Sequence, residues 1–138
     1  MSIRCLMMGM ILAFGGTACQ RAAIVAIRLC HAPFEQNVCI TNQHHFSNQV
    51  NHIYLSCRFI AAPKDGQATI SWYYADAGAI ILIKQQRVAV GEYNSGHVFN
   101  YITAINQPPQ GWQSGNYRLF IEPHYTAVAA IEKTFSIR

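Results

Sequence analysis

The sequence predicts an all-β protein, an antiparallel β-sandwich of about seven strands that follows an N-terminal signal segment. From about residue 37 onward, short runs of alternating apolar and polar residues are separated by turn residues, and no amphipathic stretch is long enough for an ordinary helix. Hydrophobic residues make up 51% of the chain and charged residues only 12%, which is typical of a packed core and not of disorder. The 138 residues have room for one domain, which we expect over residues 37–138.

The predicted strands lie between turns rich in glycine, proline, aspartate and asparagine. In the first of them, IYLSCRFIA, apolar residues alternate with more polar ones, so one face is expected in the core. The inward residues there are Ile53, Leu55, Cys57 and Phe59. The later predicted strands are ATISWYYA, AIILIKQQRVAV (one long or two short), HVFNYITAI, NYRLFIE and AVAAIEKTFSIR, the last two forming a terminal hairpin.

A short motif near the C-terminus resembles part of a known fold. The run Gly115-Asn116-Tyr117-Arg118-Leu119 is similar to the start of strand F in immunoglobulin-like sandwiches, where a tyrosine hydroxyl caps the preceding corner. Trp72 stands where such folds place a core tryptophan, and Leu119 replaces the cysteine of antibody domains. The resemblance covers roughly residues 38–138 and implies an immunoglobulin-like module of a bacterial envelope protein, with Trp72, Tyr117 and Leu119 in its core. Fold analogy alone implies no activity.

Residues 1–18 have the order of a signal peptide: a basic start, an apolar stretch and then small residues. The apolar stretch is shorter than the ~20 residues that a transmembrane helix needs. Within LAFGGTACQ, the segment Gly16-Thr17-Ala18-Cys19 resembles the lipobox of bacterial lipoproteins, although Gly16 stands where a branched apolar residue is usual. The resemblance implies that Cys19 is lipidated and anchors the protein to a membrane facing the periplasm, with residues 19–36 as a tether or N-terminal segment.

Two other interpretations of the N-terminus stay open. Cleavage after Ala18 by the ordinary signal peptidase would leave Cys19 free and the protein soluble in the periplasm or secreted. Alternatively, an uncleaved leader would continue into the membrane through AAIVAIRL, but Arg21 and Arg28 interrupt that segment and a charge at membrane depth costs at least ~2.5 kcal/mol. AAIVAIRL could instead dock on the domain as a short helix or an extra strand.

Five cysteines set the possible disulfides. Cys5 is lost with the leader, and lipidation of Cys19 would leave three thiols, enough for one disulfide in an oxidising compartment. Cys30 and Cys39 flank the turn-like loop CHAPFEQNVC, whereas Cys57 faces the core in the predicted strand as a small hydrophobe. We therefore favour a Cys30–Cys39 disulfide over the rival Cys39–Cys57.

The sequence offers no catalytic or metal-binding motif. Its six acidic residues show no spacing that pairs carboxylates, and it lacks a nucleophile elbow, a phosphate-binding glycine loop and a dinucleotide fingerprint. His44 and His45 do not have zinc-ligand spacing with Cys39 and Cys57. The basic residues never form a run or patch, which argues against nucleic-acid binding. We expect a protein that is not an enzyme, with no metal, no cofactor and no nucleic-acid partner.

One surface has the composition of a binding site. If Trp72 and Leu119 face the core, then Tyr73, Arg118 and Phe120 face outward on neighbouring strands, and aromatic residues with arginine are enriched at protein–protein contacts.

The leading hypothesis is a non-catalytic envelope lipoprotein that binds an unidentified envelope protein or scaffolds an assembly. The alternative is a secreted or periplasmic sandwich that binds a carbohydrate or another ligand through the loop residues Trp112, Tyr93 and Tyr125.

Overall fold

The computed structural model describes residues 21–32, 38–91, 98–125 and 128–138, and within these ranges it is an all-β, sandwich-like arrangement of two sheets. The smaller sheet has the strand order β1-β3-β6 and the larger has the order β2-β8-β7-β4-β5. Neighbouring strands are antiparallel, except that β2 is parallel to β8. The strands are β1 Ala23–Cys30, β2 His45–Phe46, β3 His52–Ile60, β4 Gln67–Asp76, β5 Ala79–Ala89, β6 Val98–Asn106, β7 Gly115–Pro123 and β8 Ile131–Ile137. The predicted all-β class is confirmed.

The first described strand lies in the segment expected to be a tether. β1 pairs with β3 at the edge of the smaller sheet, and its Ile24 and Leu29 side chains are buried in the core. The apolar, β-branched sequence AIVAIRLC suits a strand with one buried face, and a register shift between Val25 and Arg28 breaks the pairing once. The sheet therefore begins ahead of residue 37. The predicted signal peptide, residues 1–18, and Cys19 lie outside the described residues.

A disulfide holds the end of β1 to the chain that follows it. Cys30 bonds to Cys39, with their Cα atoms 5.8 Å apart. The Cys39 backbone amide donates to the Ser56 hydroxyl of β3 at 2.9 Å, and the Arg28 guanidinium donates to the Cys39 carbonyl at 3.1 Å. The bond and its hydrogen bonds hold Cys39 against the smaller sheet, and such a disulfide is consistent with an extracytoplasmic location.

Cys57 takes no part in a disulfide and lies in the core on β3. Burial raises the pKa of the Cys57 thiol to about 12, because the surrounding apolar side chains disfavour the thiolate. The thiol is therefore protonated at neutral pH and acts as a small apolar side chain.

The core is built around Trp72, which is 0% exposed. Trp72 lies edge-on to Phe135 with ring centroids 6.1 Å apart, and Phe135 stacks on Tyr117 at 5.2 Å. These rings come from β4, β7 and β8 of the larger sheet, and they form one apolar cluster with the inward residues of β3. The predicted inward residues of β3 and β4 and Leu119 of β7 are all buried: Ile53, Leu55, Cys57, Phe59, Ile70, Trp72, Tyr74 and Leu119.

Tyr117 closes the corner before β7. Its ring is buried and its hydroxyl donates to the backbone carbonyl of Gln113, four residues upstream. Gly115 has φ 146°, and a Cβ there would overlap the Asp76 carboxylate, which accepts a hydrogen bond from the Asn116 amide. Glycine at 115 therefore lets the corner approach Asp76, and Tyr117 holds it in place.

We expect Trp72→Ala to lower the free energy of unfolding by ~3–5 kcal/mol, because it empties the centre of the core. Chemical denaturation measures the change. Tyr73→Ala is the matched control, since it removes a ring from the outer face of the same strand and should cost clearly less. Equal losses would mean that the faces of β4 are reversed.

We expect Tyr117→Phe to lower the free energy of unfolding by ~1–3 kcal/mol, because the Gln113 carbonyl loses its donor. Tyr54→Phe is the control.

Tyr117→Phe should also alter unfolding at alkaline pH. Burial raises the Tyr117 pKa from 10.0 to about 12. The protonated hydroxyl therefore contributes its full share of the free energy of unfolding below pH 10, and this share is lost as the pH rises to 12. Unfolding curves that coincide with those of the unsubstituted protein throughout this range would contradict the role of the hydroxyl.

Candidate functional site

The register between β4 and β7 brings the predicted outward residues together. Tyr73 pairs with Arg118 and Ser71 pairs with Phe120, while the intervening pair Trp72–Leu119 points into the core. Because side chains alternate between the two faces of a sheet, Tyr73, Arg118 and Phe120 lie on the outer face of the larger sheet.

The two aromatic rings form a direct contact. Their centroids are 5.7 Å apart and the rings are nearly perpendicular at 84°, the edge-to-face geometry that aromatic pairs favour. Both rings are half-buried. Ile80 of β5 lies beside them, and the group lines an open depression of about 390 Å³ together with Ser71, Gln85, Glu122 and Ala130. We call Tyr73, Ile80, Arg118 and Phe120 the outer patch.

No described strand covers the outer patch. All eight belong to one of the two sheets; β1 lies in the smaller sheet, and β5 lies beside β4 in the larger one. β1 therefore lies in the other sheet. β5 lies beside the outer patch and does not cover it. The two rings therefore keep part of their surface available to a partner.

Arg118 has hydrogen-bonding capacity to spare. Its Nε lies 3.5 Å from Glu132 Oε1, and both side chains are close to half exposed, so the pair is a weak surface ion pair. The terminal guanidinium nitrogens have no hydrogen-bond partner among the residues that the structure describes. Arg118 can therefore donate to a ligand without first leaving a strong bond.

A second, more polar depression adjoins the outer patch through Arg118. It has a volume of about 460 Å³ and is lined by His44, His45, Asn116, Arg118 and Arg138, together with residues of β8. The His45 ring nitrogen Nδ1 lies 2.6 Å from the buried Ser136 hydroxyl. No sequence pattern indicates this basic depression, because it depends on the parallel pairing of β2 with β8, which joins segments about 90 residues apart.

The loop aromatics of the alternative hypothesis are arranged differently. Trp112 is only 8% exposed, and its indole N–H donates to the Val50 carbonyl at 2.6 Å, so its ring belongs to the core. Tyr125 is half-buried, and its hydroxyl is enclosed without a partner in the described chain. Tyr93 lies outside the described residues. The small exposed part of Trp112 lines a depression of about 390 Å³ together with Tyr74 and Ile81.

The histidines are dispersed over several polar pairs. His31 contacts Gln43, His45 contacts Ser136, and His52 contacts Asn106. His124 contacts Thr69. In the described ranges no three His, Cys, Asp or Glu side chains come together as a metal site. Nor do these ranges contain a helix long and apolar enough to cross a membrane.

The structure also exposes apolar residues that sequence patterning did not single out. Ile80, Ile81, Leu82 and Ile83 of β5 are 67%, 53%, 50% and 39% exposed. A continuous apolar run usually indicates a strand that is buried on both faces. Here the run lies on the last strand of a sheet, which periodicity alone does not reveal.

Comparisons with known proteins leave the family open. No protein-family model matches the chain, and no curated protein matches it. The solved structures that are similar include a β-glucosidase of Erythrobacter marinus, with a TM-score of 0.45 and 12% identity over 86% of this chain. The matched region spans 15% of that enzyme.

Proposed function

We propose that this chain is a non-catalytic binding module of the bacterial cell envelope that binds another protein through the outer patch. The observation that carries the proposal is the edge-to-face pair of Tyr73 and Phe120, which lies partly exposed beside Arg118 on a sheet face that no described strand covers. Aromatic residues and arginine are the side chains most enriched at the centres of protein interfaces.

The chemistry of the patch defines the partner. The rings and Ile80 offer an apolar depression, and burying one large apolar side chain in such a place is worth ~1.5–3 kcal/mol. The unbonded guanidinium donors of Arg118 require acceptors at the rim of that contact. The partner is therefore a protein surface with an exposed large apolar side chain flanked by carbonyl or carboxylate oxygens.

We also propose that the sandwich is immunoglobulin-like, with β4, β7 and β8 as its strands C, F and G. Support comes from the buried Trp72 on β4 and from the bond between the Tyr117 hydroxyl and the Gln113 carbonyl at the start of β7. The sheet orders β1-β3-β6 and β2-β8-β7-β4-β5 agree with this assignment.

The proposed location is the periplasmic side of a membrane, with a lipid on Cys19. The Cys30–Cys39 disulfide supports an oxidising compartment, and the lipobox-like segment before Cys19 supports the anchor. β1 starts at Ala23, four residues after Cys19, so a lipid there would hold the edge of the smaller sheet close to the bilayer. The outer patch, on the larger sheet, would stay accessible.

The double variant Tyr73→Ser, Phe120→Ser should abolish co-purification of the partner from crosslinked cells and leave the melting temperature nearly unchanged. Both rings are partly exposed and neither belongs to the core cluster, so their loss removes contact surface more than core. The matched control is His52→Ser, Tyr54→Ser, which removes an aromatic pair with the same 5.7 Å centroid distance from the smaller sheet. The control should retain the partner.

Two outcomes would contradict the proposal. A large fall in melting temperature in the Tyr73 and Phe120 double variant would assign these rings to the core. Equal loss of the partner in both double variants would mean that the outer patch has no special role. A melting temperature that shifts when glycans are added would instead favour the carbohydrate-binding alternative.

Cys19→Ser should release the protein from the detergent phase or block its processing, because each buried methylene of an acyl chain contributes ~0.8 kcal/mol to membrane binding. Phase partitioning and intact-mass analysis of the mature protein measure this. Cys57→Ser is the control and should partition like the unsubstituted protein. An unmodified N-terminus in the intact mass would exclude the anchor.

A further inference from the structure

The polar depression of about 460 Å³ lies on the same sheet face as the outer patch. We call it the basic depression after four residues that line it: His44, His45, Arg118 and Arg138. Asn116 and Ser136 also line it, and they pair in the register of β7 with β8, so both lie on the same face as Arg118. His45 pairs with Ser136 across the parallel contact of β2 with β8. The basic depression is therefore part of the outer face of the larger sheet.

The basic depression holds more positive charge than the described residues neutralise. None of the described residues that line it is acidic. The Arg138 guanidinium has no ion pair and no hydrogen bond within the described ranges, and Arg118 approaches the Glu132 carboxylate only through its Nε, at 3.5 Å. Guanidinium donors in this state favour an anion with paired oxygens, such as a carboxylate or a phosphate.

The Asp76 carboxylate does not neutralise these groups. One of its oxygens accepts a hydrogen bond from the Ala77 amide at 2.8 Å, and the other accepts one from the Asn116 amide at 3.2 Å. The main-chain oxygen of Arg138 is also engaged, because it accepts a hydrogen bond from the Asn48 amide at 3.0 Å. The anion must therefore come from another molecule.

Arg118 joins the basic depression to the outer patch, because its side chain lines both recesses. Along the outer side of β7, Phe120, Arg118 and Asn116 follow one another at every second residue, so the first and last lie ~13 Å apart. An extended peptide has the same spacing between side chains of one face. A single segment can therefore place a large apolar side chain beside Phe120 and a second side chain in the basic depression.

The opposite end of this face is acidic. Glu122 lines the depression of the outer patch, and Glu132 pairs with Phe120 in the register of β7 with β8. An anionic bilayer laid on this face would meet both carboxylates as well as the basic depression. A peptide segment can place its one acidic group at the basic end alone, so the charges favour a protein over a membrane.

We propose that the basic depression binds an aspartate or glutamate side chain of the partner segment whose large apolar side chain occupies the outer patch. This inference rests on the proposed function and specifies the partner. The carboxylate accepts hydrogen bonds from the guanidinium groups of Arg138 and Arg118, and it lies about two to four residues along the segment from the apolar side chain.

The first experiment is a phage selection of random short peptides on the purified protein with its disulfide intact. The selected clones are sorted by whether they still bind the double variant Tyr73→Ser, Phe120→Ser. Peptides that need the two rings should carry an aspartate or glutamate about two to four residues from a large apolar residue. The same selection on Arg138→Glu should enrich lysine or arginine at that position instead, because the charge that meets it is reversed.

The second experiment measures the dissociation constant of one selected acidic peptide by fluorescence anisotropy. Arg138→Gln should raise it about fivefold or more, the upper end of what an exposed ion pair contributes, and so should replacing the acid of the peptide by its amide. Each change removes one partner of the same ion pair, so the two together should raise the dissociation constant little further.

Arg87→Gln is the matched control. Arg87 pairs with Thr69 on the outer face of the larger sheet, and it does not line the basic depression. This variant removes the same charge from the same face, so it should change the dissociation constant less than about twofold. Circular dichroism should show that both variants fold, since neither the Arg87 nor the Arg138 side chain has a partner in the described chain.

The outcomes separate this inference from the proposed function. Ring-dependent peptides that carry no acid, or that bind Arg138→Gln as tightly as the unsubstituted protein, would overturn this inference alone. Acidic peptides that need Arg138 and not the rings, or a selection in which no peptide depends on either, would overturn both. Phosphatidylglycerol vesicles that bind through Arg138 when no acidic peptide does would assign the basic depression to a lipid headgroup and overturn the inference.

Discussion

The pairing of Trp72 with Leu119 is the constraint on which the rest of the structure depends. It sets the register of β4 against β7, so Trp72 meets the Phe135 ring, which stacks in turn on Tyr117. A shift of one residue would turn every side chain of one strand to the other face. The same pairing therefore buries one ring cluster and leaves Tyr73 and Phe120 outside. The core and the candidate binding surface are two consequences of one register.

Two tight local structures fix loops of the sandwich. In one, Gly115 lets the chain approach Asp76, and Tyr117 caps the corner through Gln113. In the other, the Cys30–Cys39 disulfide holds the chain after β1 against Ser56. Both use hydrogen bonds or a covalent bond where short loops cannot bury much apolar surface. A chain with so few charged residues has little other means of fixing its loops.

The outer patch and the apolar β5 edge differ in how the chain makes them. The outer patch joins side chains from three strands on a sheet face, so it depends on register. The β5 edge is one continuous run, Ile80–Ile83, and depends on the position of that strand in the sheet. The face suits a partner that covers side chains, whereas the edge suits a strand that continues the backbone hydrogen bonds.

The sequence by itself determined the all-β class, the approximate positions of β3 to β8, and the inward faces of β3 and β4, because alternation reports which side of a strand is apolar. Through that alternation it also indicated Tyr73, Arg118 and Phe120 as outward residues. Only the tertiary structure decided that Ala23–Cys30 joins the smaller sheet, that Trp112 is buried and bonded to the Val50 carbonyl, and that the apolar run of β5 lies at an edge. Periodicity describes one strand at a time, whereas an edge, a neighbour or a shared depression is a relation between segments distant in the chain.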